Sequence, residues 1–235
     1  MIKRLNYLLV ALSAVLLFSC SKNDTPPQPL PTAFFVIQAS PDAPNTDVYI
    51  NSQLSLQNIP YGTDTGYAYA LPGNYEFKVA ETGKTTYYVT KAFSFDTAKL
   101  YSVYFIDSAS RMKAVAVDDN FSTPNVDSVQ IRYLDFSPNL IVHNVKFTNT
   151  TTSQVYEETG RSFNDQATNT DRQKFVTLKA GTYKVEFFLI GSGTPFKTID
   201  ALELKSQKAY TLYMKGFYNT VGTSGLNHAV IQHLL

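Results

Sequence analysis

The sequence predicts an all-β protein built as two tandem immunoglobulin-like β-sandwich domains, and three observations carry that expectation. Tyr and Phe each occur 16 times in 235 residues with no Trp, among many Thr and Val, the residue types enriched in strands. Short alternating runs recur between turn signals, and no segment sustains apolar spacing at three and four residues, so little helix is expected. The second half of the chain also repeats the first.

The composition excludes several classes. Hydrophobic residues make up 44% and charged residues 17%, with 20 basic against 19 acidic side chains. That is neither the clustered basic surplus of a nucleic-acid binder nor the low hydrophobicity and high net charge of a disordered chain. A single Cys excludes a disulfide framework within the chain and a thiolate metal cluster.

Residues 1–19 read as a signal peptide. Lys3 and Arg4 form its positive start, and 8–18 is an apolar stretch broken only by Ser13. It is too short to cross a hydrocarbon core of about 30 Å, which takes about 20 apolar residues. Its end, Leu16-Leu17-Phe18-Ser19-Cys20, resembles a bacterial lipobox. The resemblance implies a lipoprotein signal peptide cut before Cys20, diacylglycerol on the Cys20 thiol and acylation (palmitate or a similar chain) of the new amine. Several acyl chains exceed the two signals that stable anchoring needs. Ser21, rather than Asp, follows the cysteine, which by the same resemblance implies a cell outer membrane location. Asp24 alone supplies acid there, and the periplasmic or surface-exposed face stays open. Residues 20–32 then carry Pro26, Pro27, Pro29 and Pro31, favouring extended polyproline geometry. At about 3.1 Å per residue, such a stalk reaches roughly 35 Å.

The first domain is expected over 33–117, with strands at 33–39, 47–51, 66–71, 75–80, 85–93, 100–107 and 112–117. Tyr75, Phe77 and Val79 alternate with Glu76 and Lys78, as in a strand with one wet face. Pro72-Gly73 and Thr82-Gly83-Lys84 mark turns. Residues 118–128 read as a linker, and 129–235 as the second domain. Phe35–Pro41 is echoed by Arg132–Pro138 at an offset of 97, Gly73–Val79 by Gly181–Phe187 at 108, and Lys99–Tyr104 by Lys208–Tyr213 at 109. The jump places about eleven extra residues in the second copy, expected as a loop insertion within 160–172. Units of this size and strand rhythm match an immunoglobulin-like sandwich.

Residues 39–50, Ala-Ser-Pro-Asp-Ala-Pro-Asn-Thr-Asp-Val-Tyr-Ile, resemble the opening "ASPDAP…DVYV" motif of domain-of-unknown-function family 4397. The similarity continues through 59–62 and 71–75 and covers most of 33–117, with a weaker match in the second copy. The resemblance implies an envelope or secreted protein, often a tandem one and often a lipoprotein, with no established activity.

Candidate chemistry is sparse. Asp42 and Asp47 suit a hard cation such as Ca²⁺, or a turn whose backbone N–H groups they accept. At an offset of 97 their counterparts are Asn139 and Asn144, which keep the hydrogen-bonding shape and lose the charge. Ser40, Pro41, Asp42, Pro44 and Asp47 are therefore expected to be structural. His143, His228 and His233 have no zinc spacing. Gly83-Lys84-Thr85 lacks the upstream glycine of a phosphate loop, and Ser110 with Lys113 lacks partner motifs. The pairs Glu157-Glu158 and Asp118-Asp119 are expected to be solvated loop charges. No catalytic residue, metal or cofactor is expected. Tyr61, Tyr67, Tyr69, Phe217 and Tyr218 are candidates for a ligand or partner surface, since exposed aromatic rings stack on sugars. Asp127-Ser128-Val129 resembles an O-glycosylation acceptor of Bacteroidota envelope proteins at Ser128.

The functional expectation is a non-enzymatic, lipid-anchored cell-envelope protein that binds or scaffolds envelope partners, with sheet edges offering β-addition. The alternatives are a glycan-binding accessory lipoprotein of a polysaccharide-uptake system and a hydrolase with an inter-domain site. No nucleic-acid partner is expected.

Overall fold

The computed structural model describes residues 28–233. The signal segment, Cys20 and the proline run as far as Pro27 lie outside them. Pro31 and Leu30 already belong to the body, accepting bonds from the Ala98 N–H (3.2 Å) and the Thr97 hydroxyl (2.8 Å).

The first sandwich comprises β1 (Thr32–Gln38), β2 (Thr46–Ile50), β3 (Gln53–Ile59), β4 (Ala68–Ala70), β5 (Gly73–Glu81), β6 (Tyr87–Phe95), β7 (Leu100–Ile106) and β8 (Lys113–Asp118). The second comprises β9 (Ser128–Asp135), β10 (His143–Asn149), β11 (Val155–Arg161), β12 (Val176–Lys179), β13 (Gly181–Leu189), β14 (Lys197–Leu204), β15 (Ala209–Lys215) and β16 (Asn227–Gln232). Short 3₁₀ turns at Ala109–Arg111, Asp165–Ala167 and Thr170–Gln173 are the helical segments among the described residues.

Each sandwich stacks two four-stranded sheets. The orders are β4-β1-β7-β8 and β3-β2-β5-β6 in the first, and β12-β9-β15-β16 and β11-β10-β13-β14 in the second. β1 runs parallel to β7 and β9 parallel to β15; the other pairings are antiparallel. Size and two-sheet architecture are those of an immunoglobulin-like sandwich, while this eight-strand order differs from the seven-strand ABED/CFG pairing of constant domains.

No strand is expected from the sequence at 53–59, yet β3 forms there. Leu54 and Leu56 alternate with Gln53, Ser55 and Gln57, a short signal that sequence reasoning passed over. Leu56 packs on the first core, while most of the strand is exposed on a sheet edge. The strand is set by the turn before it, where Asn51 (φ 50°) and Ser52 (φ 67°) supply the two left-handed positions of a tight hairpin.

The duplication extends to individual hydrogen bonds. The Tyr75 hydroxyl donates to the Leu71 carbonyl and the Tyr183 hydroxyl to the Lys179 carbonyl, both at 2.7 Å. The glycines opening β5 and β13 share a left-handed backbone, Gly73 at φ 149° and Gly181 at φ 147°, which a side chain would strain.

The two β1/β7-type sheets are buried on both faces. Phe34, Val36, Val103 and Phe105 point into the first core, and Ile131, Tyr133, Leu212 and Met214 into the second. The opposite faces, with Phe35, Ile37, Tyr104, Ile106, Leu134, Phe136 and Tyr213, pack against each other. Tyr104 and Tyr213 hold corresponding places in the two copies, and their rings meet at 5.6 Å. Corresponding residues touching is the signature of a two-fold-like, self-complementary contact. Each fully buried side chain of this size contributes about 1.5–3 kcal/mol, so the sandwiches form one body.

The connection between β8 and β9 belongs to that body. Contrary to the expectation of solvated loop charge at Asp118-Asp119, the Asp119 side chain has no exposure.

Candidate functional site: the junction of the two sandwiches

Asp119 leaves the end of β8 and points inward between the two domains. Ser102 on β7 and Tyr67 on the loop before β4 each donate a hydroxyl proton to its Oδ2 at 2.6 Å. Arg132 on β9 pairs with its Oδ1. The Arg132 Nε donates to the Thr211 hydroxyl on β15 (2.8 Å), and its Nη1 to the Asp118 carbonyl (2.9 Å). His233, just after β16, contacts the Thr211 hydroxyl through Nε2 and the Tyr67 hydroxyl through Nδ1, both at 2.7 Å.

Proton arithmetic sets the directions. Asp119 only accepts and takes the Tyr67 proton, so the neutral His233 carries its proton on Nδ1 and the Thr211 proton goes to Nε2. His233 Nδ1–H then donates to Tyr67, whose own proton goes to Asp119. The ring closes with a neutral imidazole. Burial, offset by Asp119 and reinforced by Arg132, lowers the His233 pKa to about 4. Tyr67 is raised by burial and by Asp119. Three members come from the first copy and its connector, and three from the second, so the network joins the domains. Breaking a buried pair by removing one partner costs about 3–5 kcal/mol.

A second buried cluster lies inside the second sandwich. The Arg161 side chain is unexposed and pairs with Glu158 and with Asp165 (2.7 Å), its guanidinium 4.9 Å from the Tyr133 ring centroid. Glu158 is therefore an ion-pair partner, contrary to the expectation of free loop charge for Glu157-Glu158. His143 Nε2 accepts from the Tyr133 hydroxyl (2.8 Å) and Nδ1–H donates to the Ile141 carbonyl (3.1 Å). Burial lowers its pKa to about 4. Asp135 beside it accepts from the Ser137 N–H through Oδ1, while Oδ2 has no hydrogen-bond partner among the described residues. Burial raises this carboxyl to about 8.

The motif residues hold turns. Asp42 Oδ1 accepts from the Ala109 N–H (2.7 Å). Its counterpart Asn139 accepts from the Tyr218 N–H (2.6 Å) and donates to the Tyr218 carbonyl (3.1 Å). Burial raises the Asp47 carboxyl, but bonds from the N–H groups of Asn58 and Gly83 and from the Thr82 hydroxyl outweigh it and hold it below its ordinary value. Asn144 makes the corresponding bond to the Gly160 N–H (3.0 Å). Ser40 N–H donates to Gln38, Pro41 is buried and Pro44 exposed. Among the described residues, no group of three or more His, Cys, Asp or Glu is placed to hold a metal.

The five candidate aromatics do not form one surface. Tyr69 on β4 is 76% exposed, whereas Tyr67 is committed to the junction network. The Tyr61 ring is covered by the Lys215 ammonium at 4.7 Å. Tyr218 packs on the second core against Phe196, and Phe217 bridges to Gly225. Ser128 opens β9, half-buried, its N–H bonded to the Asn125 carbonyl.

Sequence reasoning missed Phe175. Its ring lies under the Arg132 guanidinium (4.5 Å) and meets Phe121 (5.6 Å) and His233 (5.5 Å) edge-on. It lines a groove of about 450 Å³ with Asp118, Asn120, Ser122, Gln130, Gln173 and Lys174. The available signal was the repeat itself, since Phe175 stands at the offset of 108 from Tyr67.

Comparison with known proteins gives a family and no activity. Residues 34–145 match the family described as Domain of unknown function (DUF4397). The match runs through the first sandwich into β10. No curated protein matches the chain. Among solved structures, one described as "Alpha-glucan binding by a streptococcal virulence factor" is 11% identical with a TM-score of 0.26, covering 76% of this chain and 92% of that one. A leucine-rich repeat protein from Bacteroides thetaiotaomicron is 12% identical (TM-score 0.21, 84% of this chain) and the Bacillus anthracis TIE protein 12% (0.23, 80%). The chain spans 27% and 34% of the length of these last two.

Proposed function

We propose that this protein is a lipid-anchored, non-enzymatic binding module of the bacterial cell envelope. One observation carries the non-enzymatic part: the groups able to do acid–base chemistry at the junction are engaged with one another. His233 has both ring nitrogens occupied by protein partners, and the Asp119 carboxylate already accepts from Tyr67, Ser102 and Arg132. What such a body offers a partner is shape, exposed edges and polar grooves on a rigid frame. The anchor rests on the lipobox resemblance at Cys20.

Two measurements test the proposal. Labelling cells with a palmitate analogue should tag the chain and send it to the membrane fraction. Cys20→Ser should abolish both, and an unacylated Cys20 thiol found by mass spectrometry would overturn the anchor. Turnover of an ester, peptide or glycoside, lost on substituting an acid such as Glu157, would overturn the non-enzymatic reading.

A further inference from the structure

Most of the second copy has a counterpart in the first. Contrary to the expectation of a single insertion within 160–172, part of the extra length lies in the longer β10–β11 hairpin. Nearer the junction, correspondence fails in the extra residues between Arg161 and β12 and in the connector between β8 and β9. They approach each other at one place, the groove that Phe175 lines. Thr170 and Gln173 belong to the 3₁₀ turn the insertion ends in, and Asn120 and Ser122 to the connector. Gln130 on β9 fixes the connector there, donating to the Ser122 hydroxyl (3.0 Å) and accepting from the Ser122 N–H (3.1 Å).

The corresponding place on the first copy's side shows what changed. Phe35 and Tyr67 stand where the second copy has Arg132 and Phe175. Their rings meet at 4.6 Å, as the Arg132 guanidinium meets Phe175. Gln232 there stands where Asp118 stands here, because the N–H groups of the following residues, His233 and Asp119, bond the first residues of β15 and β7. The Tyr67 pocket is about 170 Å³, and its lining includes Phe35, Ile231 and Gly66. The Phe175 groove is about 450 Å³ and lined with two side-chain amides besides Gln130, two hydroxyls, a carboxylate and Lys174. Asp118 Oδ1 is buried with no hydrogen-bond partner among the described residues.

We infer that the Phe175 groove is a binding site for a neutral saccharide, one sugar of an oligomer occupying it. The inference rests on the reading of the chain as a binding module and names the ligand class of one site. Each sugar hydroxyl donates and accepts, which suits the mixed amides and hydroxyls of Asn120, Ser122, Thr170 and Gln173. The C–H face of a sugar ring finds apolar cover on Phe175, held at a fixed angle by Arg132, so little ordering cost falls on binding. A volume of about 450 Å³ lies within the range of small-molecule sites, about 300–1,000 Å³.

The test uses the full chain, purified in a detergent without sugar groups, on an array of short oligomers of glucose, mannose, galactose and N-acetylglucosamine. At least one neutral oligomer should bind. Asn120→Ala with Gln173→Ala, both outside the cores, should weaken it about tenfold or more, as should Phe175→Leu. Tyr69→Ala, on the exposed edge of β4, should leave it unchanged. A blank array, or binding unaffected by the Asn120 and Gln173 substitutions, overturns the groove assignment and leaves the binding-module reading standing. Cleavage of an arrayed glycan overturns that reading instead.

Discussion

Corresponding places in the two sandwiches are filled by opposite chemistry. In the first, Gln38, Thr46 and Ile59 form a neutral cluster: the Gln38 amide donates to Thr46 (2.9 Å) and accepts from the Ser40 N–H (3.0 Å). In the second, Asp135, His143 and Arg161 stand there, the last placed by the Thr46↔Ile59 and His143↔Arg161 pairings. Asp135 keeps the bond to the next serine but loses the second one, its Oδ2 lying 3.9 Å from His143 Nδ1. The same β frame accepts either set. The neutral cluster is indifferent to pH, while the ionisable one ties the stability of its sandwich to proton binding.

The largest break in that comparison lies at the junction, where Phe35 of the first copy corresponds to Arg132 of the second. Arg132→Leu leaves Asp119 buried without its cation and should cost about 3–5 kcal/mol in urea denaturation. Arg132→Leu with Asp119→Asn should recover part of that loss. A double variant no more stable than the single would show that the ion pair is not what holds the junction.

The pH profile is the next test. Asp135 titrates at about 8 in the folded chain against about 3.9 unfolded. Its proton is held by the folded state, so its contribution is full below pH 4 and declines as pH rises towards 8. His143 and His233, lowered to about 4 from about 6.5, act oppositely: their contribution is full above pH 6.5 and lost as pH falls towards 4. Stability should therefore peak near pH 6.5. From there to pH 8 the Asp135 contribution should fall by about 1.5 kcal/mol, partly offset as the two histidines complete their titration in the unfolded chain. Asp135→Asn should flatten that limb in thermal melts, and an unchanged slope would refute the assignment.

The smallest effect compares the two motif turns. Asp42→Asn keeps the acceptor for the Ala109 N–H and should be near neutral. Asn139→Asp loses the donor to the Tyr218 carbonyl and should cost about 1 kcal/mol. Equal effects in chemical denaturation would show that the two turns are not held in these different ways.

Much of the frame was legible because period-two alternation and turn residues are local signals. Seven strands of the first copy were readable, and the Asp-to-Asn exchange at 42/139 and 47/144 pointed to turn geometry. The edge strand β3 was passed over because its alternation is short, two leucines among polar residues, and most of the strand is exposed. Asp118-Asp119 and Glu157-Glu158 read as solvated because an acid pair in a polar stretch looks the same whether or not its arginine is buried with it, even where, as with Arg161 and Glu158, the two are close in sequence.

By itself, the sequence determined the β architecture, the duplication and the places of the turns, since each follows from neighbours along the chain. Only the tertiary structure decided that the β1/β7 and β9/β15 sheets cover each other, that Asp119 closes a ring with Arg132 and His233, and that an insertion and a connector shape a groove around Phe175. Alternation tells which residues share a face of a strand, but what covers that face is set by segments far away in the chain.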